Sequence, residues 1–293
     1  MKPEHVDLLR QALPYIRRFK NKTFVIKLGG DIAEDDATRY SFAEEVALLA
    51  QVGIRVCVIH GGGKQATDLS EKLGIEPKII NGRRVTDDKT LDVVMMVFAG
   101  QINTEFLSAL RRAGVVAVGL SGVDGNILHA TKRPVKMVVN EATGKKEKID
   151  FGHVGDIDRV DPRLLKTLLD ADYVPVIASL GADDEGHVLN INADTVASKI
   201  AAALETEKLI LASDVDGILK GTGELISKVT VGEIQGLIKE GVIKGGMAIK
   251  AQSAIEALTD GVKAVHIING MKPSTLLTEV FTDQGCGTMI YRA

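Results

Sequence analysis

The chain has 293 residues, 45% hydrophobic, 26% charged and 4% aromatic, with no tryptophan. That is enough to bury the core of one large α/β domain or of two lobes. Its 36 basic and 39 acidic residues leave a net charge of −3 with no basic stripe, which disfavours nucleic acid and membrane surfaces and favours a small-molecule ligand.

Cys57 and Cys286 lack CxxC spacing and the six histidines form no HExxH pattern, so reduced thiols, no metal centre and a cytoplasmic setting are expected. The apolar run Val93 to Gly100 reads as too short to span a bilayer, and the N-terminus lacks the apolar stretch of a signal peptide. In chain order, Val6, Leu9, Leu13 and Ile16 recur at helical spacing, predicting an amphipathic helix from His5 to Phe19 closed by Arg17, Arg18 and Lys20. It is available for packing on its own domain or for subunit contacts.

Phe24-Val25-Ile26-Lys27-Leu28-Gly29-Gly30 is an apolar strand carrying one cation and ending in a glycine pair. Such a lysine either snorkels from an edge strand or offers a compact charge to a phosphate beside accessible backbone amides. A helix from Ala37 to Gln51 and a strand from Arg55 to Ile59 complete a parallel βαβ unit. Helices follow at Lys64 to Leu73, Leu91 to Phe98 and Gln101 to Arg112, then a strand at Val115 to Leu120. Short alternating runs between Ile127 and Val160, with a polar turn near Thr143-Gly144-Lys145-Lys146, predict an antiparallel excursion. Beyond a helix at Leu164 to Ala171 and a strand at Val174 to Ala178, helices are expected at Thr195 to Leu204, Thr230 to Lys239, Met247 to Leu258 and Pro273 to Phe281. The remaining strands are Lys208 to Ala212, Val262 to Ile268 and Thr288 to Ile290. The pattern reads as a mostly parallel sheet shared by two lobes, with a soft boundary near residues 185 to 195.

Gly61-Gly62-Gly63-Lys64-Gln65-Ala66 fits G-x-G-x-x-A between a strand and a helix, the context of a dinucleotide-binding turn. Arg83 occupies the place of the acidic ribose partner and the strand is the second parallel one, which weakens that reading and leaves an anion-binding helix N-terminus or a plain tight turn. Arg84 suits a substrate carboxylate, with Arg83 the competing candidate and Thr86 and Asp87 placed to cap the next helix. Asn190 and Asp194 fall four apart at a helix start, where Asn192 is the natural cap. Lys250 follows a second glycine-to-helix turn, Gly245-Gly246.

FVIKLGG, VIHGGGKQ, NGRRVTD, GLSGVDGN, NINADTVA, SDVDG, GGMAIK and HIINGMKPSTLLTEVFTDQGCGTMI, in this order, resemble the acetylglutamate kinases of the amino acid kinase family from Thr23 to Ile290. Leu28, Asp31 and Lys64 depart from the usual pattern. The resemblance implies a three-layer αβα sandwich and ATP-dependent phosphorylation of the γ-carboxylate of N-acetyl-L-glutamate in arginine biosynthesis. It also implies ATP with Mg²⁺ as co-substrate and no tightly bound cofactor. Lys27, Lys250 and Asp194 would be catalytic, with Gly62, Gly63, Arg84 and Asn190 binding acetylglutamate. Gly29 and Gly30 would contact phosphate, while Asp214, Val215, Asp216, Gly217, Ile218, Leu219, Val242, Ile243 and Lys244 would hold the nucleotide. The implied division is an oligomerisation helix at 1–22, an acetylglutamate lobe at 23–189 and an ATP lobe at 190–293.

Similarity to the arginine-sensitive branch implies a hexamer built as a trimer of dimers and an arginine site involving Tyr15, His266, Glu279 and Gly287, although Glu279 also reads as a surface helix charge. Kinases of glutamate, aspartate or aminoadipate derivatives remain as alternatives, as does a catalytically silent arginine sensor. Retention of Lys27, Asp194 and Lys250 argues against the sensor.

Overall fold

The computed structural model describes residues 3–80, 83–139 and 146–292. Its central sheet comprises β1 (Thr23–Leu28), β2 (Arg55–His60), β3 (Ala117–Ser121), β4 (Val174–Ala178), β5 (Lys208–Ser213), β6 (Lys228–Thr230), β7 (Ala264–Asn269) and β8 (Thr288–Tyr291). The order is β6-β8-β7-β5-β1-β2-β4-β3, and all neighbours run parallel except β7 and β8. The helices are α1 (Pro3–Phe19), α2 (Asp36–Gln51), α3 (Gly63–Lys72), α4 (Asp88–Arg112), α5 (Arg163–Asp170), α6 (Ala193–Ala203), α7 (Val231–Lys239), α8 (Gly245–Thr259) and α9 (Thr275–Phe281).

The apolar run of β1 is that of a strand covered on both faces, and all of it beyond Thr23 is buried. Period-two alternation turns Phe24, Ile26 and Leu28 toward Phe42 and Val46 of α2 and Phe106 and Leu110 of α4. Val25 faces the opposite layer, with Val196 and Ile200 of α6 and Ala254 of α8. Lys27 shares the Val25 face, so the strand itself delivers the ammonium to the α6/α8 side. The edge-strand reading of Lys27 fails, because β1 lies between β2 and β5.

Two helices were expected between Leu91 and Arg112, but the structure has one. Met96–Ile102 is wound as a π-helix, and this wider turn carries the chain past Gly100 while keeping Val93, Val97, Ile102, Phe106 and Leu110 buried. The resulting 25-residue helix is long and apolar enough to cross a bilayer by length and composition, unlike the shorter run read from the sequence. Its apolar side is packed in the core.

The antiparallel excursion is present: Leu128–Lys132 pairs with Gly155–Val160, and Lys136–Val139 with Lys146–Ile149. Leu180–Ala182 and Val188–Asn190 join the first pair as a four-stranded sheet. The polar turn at 143–145 and the Asn81-Gly82 pair lie outside the described residues.

A buried carboxylate fastens the two halves of the sheet. Glu45 of α2 accepts backbone N–H bonds from Ser274 (2.9 Å) and Leu277 (3.1 Å) at the start of α9, whose own N-cap, Ser274, supplies no side-chain bond. Glu45→Ala leaves these donors unpaired and is expected to cost about 1–3 kcal/mol in urea denaturation, with Glu45→Gln recovering part of the loss through its remaining acceptor oxygen.

Candidate active site

Ligands of open parallel sheets bind beyond the carboxyl ends of the strands, where strand order reverses. Here β1 is the reversal point, and β1, β2, β4 and β5 end respectively at Gly29-Gly30, Gly61-Gly62-Gly63, Ser179 and Asp214. Lys27, from β1, lies 2.9 Å from Asp194 Oδ1. Lys250, from α8, lies 3.4 Å from Asp194 Oδ2. Asp194 is in the first turn of α6 and 5% exposed; Lys27 is 8% exposed. Burial alone would raise the Asp194 carboxyl, but the two ammonium groups outweigh it and hold the group below its usual range. Burial and the nearby Lys27 charge lower Lys250. Asn192 caps α6 by accepting from Thr195 N at 3.0 Å, which leaves Asp194 free for the lysines.

Lys27, Gly62, Gly63, Arg84 and Asn190 line one cavity of about 570 Å³. Arg84 donates through Nη2 to Gly63 O at 2.6 Å and also to Thr67 Oγ1, while its Nη1 is buried without a partner among the described residues. Arg83 also reaches the cavity but is more exposed. Asn190 Nδ2 donates to Thr86 Oγ1 at 3.1 Å. Thr86 therefore supports Asn190, and only Asp87 caps α4, accepting from Thr90 N at 2.9 Å. Gly62 is required sterically, since a Cβ there would meet Ile102 and Phe98. Gly29 is packed too: a Cβ would lie 3.1 Å from Ala212 O at the end of β5. Sequence reasoning missed Phe98, Arg133 and Ser179, which also line the cavity. Arg133 is supplied by the antiparallel excursion and donates to Asp156 at 2.9 Å.

His60 braces the triple-glycine turn from behind. Its Nδ1–H donates to Gly61 O at 2.9 Å, so Nε2 accepts from Asn103 Nδ2 at 3.1 Å. Burial pushes its pKa down to about 4, so this is a neutral structural histidine.

The nine residues expected around adenine and ribose, from Asp214 to Leu219 and Val242 to Lys244, line a second cavity of about 530 Å³; of the two glycines also expected at the nucleotide, Gly30 lines the first cavity and Gly29 lines neither. Lys272, which the sequence reading omitted, also lines it and pairs with Asp216 at 2.6 Å. The four effector candidates do not form one constellation. Glu279 is buried rather than a surface charge; it accepts from His266 Nδ1 at 2.6 Å and from Gly287 N at 3.0 Å. Lys208 completes this chain, 2.8 Å from His266 Nε2, with its pKa pushed down to about 8 by burial. Tyr15 instead donates to Asp283 at 2.6 Å, lining a separate cavity of about 540 Å³ between α1 and the residues after α9.

A sequence model of the amino acid kinase family matches residues 22–269. The chain belongs to this family. An acetylglutamate kinase of Methanocaldococcus jannaschii is 46% identical over 292 residues, 99% of this chain and 97% of that one. An N-acetylglutamate synthase from Neisseria gonorrhoeae, solved with coenzyme A and N-acetyl-glutamate, superposes with a TM-score of 0.85 at 31% identity over 98% of this chain and 63% of that one. The same synthase with coenzyme A and L-arginine gives a TM-score of 0.83 at 29% identity, covering 98% and 65%. The amino acid kinase fold seen here, with its large, mostly parallel sheet between helical layers, is the one expected from the sequence.

In this amino acid kinase the buried His60 has a direct consequence for pH dependence. Unfolded, the imidazole takes a proton below about 6.5; folded, it resists down to about 4. Its contribution is therefore complete above 6.5 and is lost as pH falls between these values, by about 3 kcal/mol in all. Urea titrations of wild type and His60→Gln across that window should show a shallower decline in the variant; parallel declines would refute the assignment.

Proposed function

We infer that the chain transfers the γ-phosphoryl group of ATP to the γ-carboxylate of N-acetyl-L-glutamate, giving N-acetyl-L-glutamyl 5-phosphate in arginine biosynthesis. Relatives named acetylglutamate kinase, matching almost end to end, support this reading. The observation that carries it is Asp194 held between Lys27 at 2.9 Å and Lys250 at 3.4 Å, with Lys27 in the wall of a cation-rich cavity.

The accepting carboxylate has an ordinary pKa near ~4.3 and is ionised at neutral pH, so no general base is needed. The obstacle is the approach of one anion to another, and catalysis consists of positioning and charge stabilisation. Lys27 meets the transferring phosphoryl oxygens from the β1 side and Lys250 from the nucleotide side, with Asp194 aiming both. The Nη1 of Arg84, unpaired among the described residues, suits a substrate carboxylate, Asn190 and the Gly62 and Gly63 amides complete acetylglutamate binding, and Gly29 and Gly30 face phosphate. Adenine and ribose occupy the Asp214-to-Lys244 cavity, and Mg²⁺ arrives with ATP as part of the co-substrate. Residues 23–189 form the acetylglutamate lobe and 190–293 the ATP lobe of a cytoplasmic enzyme, with Asn190 serving acetylglutamate and Gly29 and Gly30 serving phosphate across that boundary.

Regulation by arginine belongs to the same reading, with Tyr15 in the α1 cavity and His266, Glu279 and Gly287 in a separate buried cluster as effector residues, and α1 interlacing dimers into a hexamer. The arginine complex of the related synthase and the α1 cavity that contains Tyr15 support it.

ATP-dependent acyl hydroxamate formation tests the activity. Acetylglutamate should react and glutamate and aspartate should not, and Lys27→Ala should lose roughly a hundredfold or more in kcat. Full turnover by Lys27→Ala would overturn the mechanism. Light scattering should give a hexamer, and millimolar arginine should inhibit; a monomer or dimer indifferent to arginine would remove the regulatory part.

A further inference from the structure

Phosphoryl transfer requires two glycine turns from different strands to keep a fixed separation: Gly29-Gly30 after β1 and Gly61-Gly62-Gly63 after β2. Neither turn contains a side chain that can brace the other. Gln65, in the first turn of α3, crosses the gap: its Nε2 donates to Gly30 O at 2.7 Å. Because the peptide unit is planar, holding that carbonyl fixes the whole Gly30–Asp31 peptide, including the direction of the Asp31 N–H.

The other end of the strut is also held. Ala66 N donates to Gly62 O at 2.8 Å, and Arg84 donates to Gly63 O at 2.6 Å. A continuous route therefore runs from the arginine assigned to substrate, through the triple-glycine turn and α3, to the phosphate turn. A second tie, Lys64 to Glu34 at 2.6 Å, lies half exposed on the surface and adds little rigidity there. Gln65 makes its bond at a cost, because pointing Nε2 at Gly30 leaves Oε1 buried without a partner among the described residues. An unpaired buried acceptor lowers stability and calls for an explanation beyond packing.

We propose that Gln65 is a positioning residue for phosphoryl transfer, setting the phosphate turn against the acetylglutamate turn through its bond to Gly30. The inference rests on the reading of the chain as an acetylglutamate kinase. It predicts that function and stability part company at this residue: an apolar side chain of similar size removes the unpaired oxygen and the strut together.

The test uses the full chain, ATP with Mg²⁺ and acetylglutamate. Wild-type turnover is measured first; its absence would refute the acetylglutamate kinase reading itself. Given turnover, Gln65→Leu should lower kcat by roughly tenfold to a hundredfold, as for a small misplacement of reacting groups. Both KM values should change by less than about threefold, and because Gly30 O keeps the Ala33 N–H at 3.2 Å, the melting temperature should equal or exceed that of wild type. Gln65→Glu provides the control, because its ionised carboxylate repels the Gly30 carbonyl whereas the protonated acid can donate to it. Its kcat relative to wild type should therefore rise as pH falls from about 8 to about 6. A Gln65→Leu variant with wild-type kcat would overturn the proposal, as would one changed only in KM. Should the leucine variant fail to fold, a Gln65→Glu to wild-type ratio that is flat with pH would overturn it equally.

Discussion

One buried carboxylate between two ammonium groups sets the terms for the rest of the molecule. Asp194, Lys27 and Lys250 come from α6, β1 and α8, and all three are largely removed from water. Desolvating a charge costs several kcal/mol, recovered only when partners are close and well directed. The three backbone elements must therefore meet accurately, and the core is arranged so that they do. The alternation of β1 fixes the face on which Lys27 emerges, the Asn192 cap fixes the start of α6, and the α6–α8 contact includes Ser198 Oγ donating to Ser253 O at 3.0 Å. Electrostatics and packing reinforce each other here, since a slip in either helix would strand a buried charge.

The separate pieces of this were legible in the sequence because each depends on local chemistry, whereas their assembly into one site was implied by the family resemblance. A lysine in an apolar strand, a glycine pair after it, and Asn-x-Asn-Ala-Asp at a helix start each constrain the backbone within a few residues. The nine residues expected around the nucleotide share one cavity for a similar reason: they belong to two short segments, each contiguous in the chain. The failures are nonlocal. Nothing near Glu279 announces that it is buried against His266 and Lys208, because those partners come from neighbouring sheet strands. Arg133 lies in a segment whose sequence indicates only an antiparallel excursion, and its place at the cavity depends on that excursion folding back over the β2 and β4 ends. The strands Leu180–Ala182 and Val188–Asn190 have three residues each, too few for a periodic signal. The joining of two expected helices into α4 has another cause: Gly100 reads as a break, whereas a π turn absorbs it.

The histidines illustrate how surroundings decide chemistry. His60 and His266 are both buried, and burial pushes both pKa values down. His60 bonds to neutral groups, a carbonyl and an amide, and acts as a spacer behind a glycine turn. His266 lies between an ammonium and a carboxylate. If Nδ1–H donates to Glu279, Nε2 accepts from Lys208, giving a relay of fixed polarity from β5 through β7 to α9. Its Lys208 end lies against Phe19, the last residue of α1, at 5.4 Å from the ring. The N-terminal helix is thereby joined to the sheet by an apolar and cationic contact of Phe19 with Phe24 and Lys208.

The charge balance of the site explains why it suits anions so well. Two lysines face one aspartate, leaving one positive charge in excess, and Arg84 keeps Nη1 unpaired among the described residues. The glycine turns add backbone amides and carry no anionic side chains. Arg133, by contrast, already has Asp156 as its partner, so it contributes shape and a firm wall more than free charge. Excess positive charge in a partly desolvated cleft is unfavourable for the empty protein and is relieved when anionic groups enter. An arrangement of this kind places electrostatic stabilisation where two anions must approach each other, without any residue having to take up a proton. That asymmetry accounts for a site rich in lysine, arginine and glycine in which the buried histidine is held neutral and turned toward the scaffold.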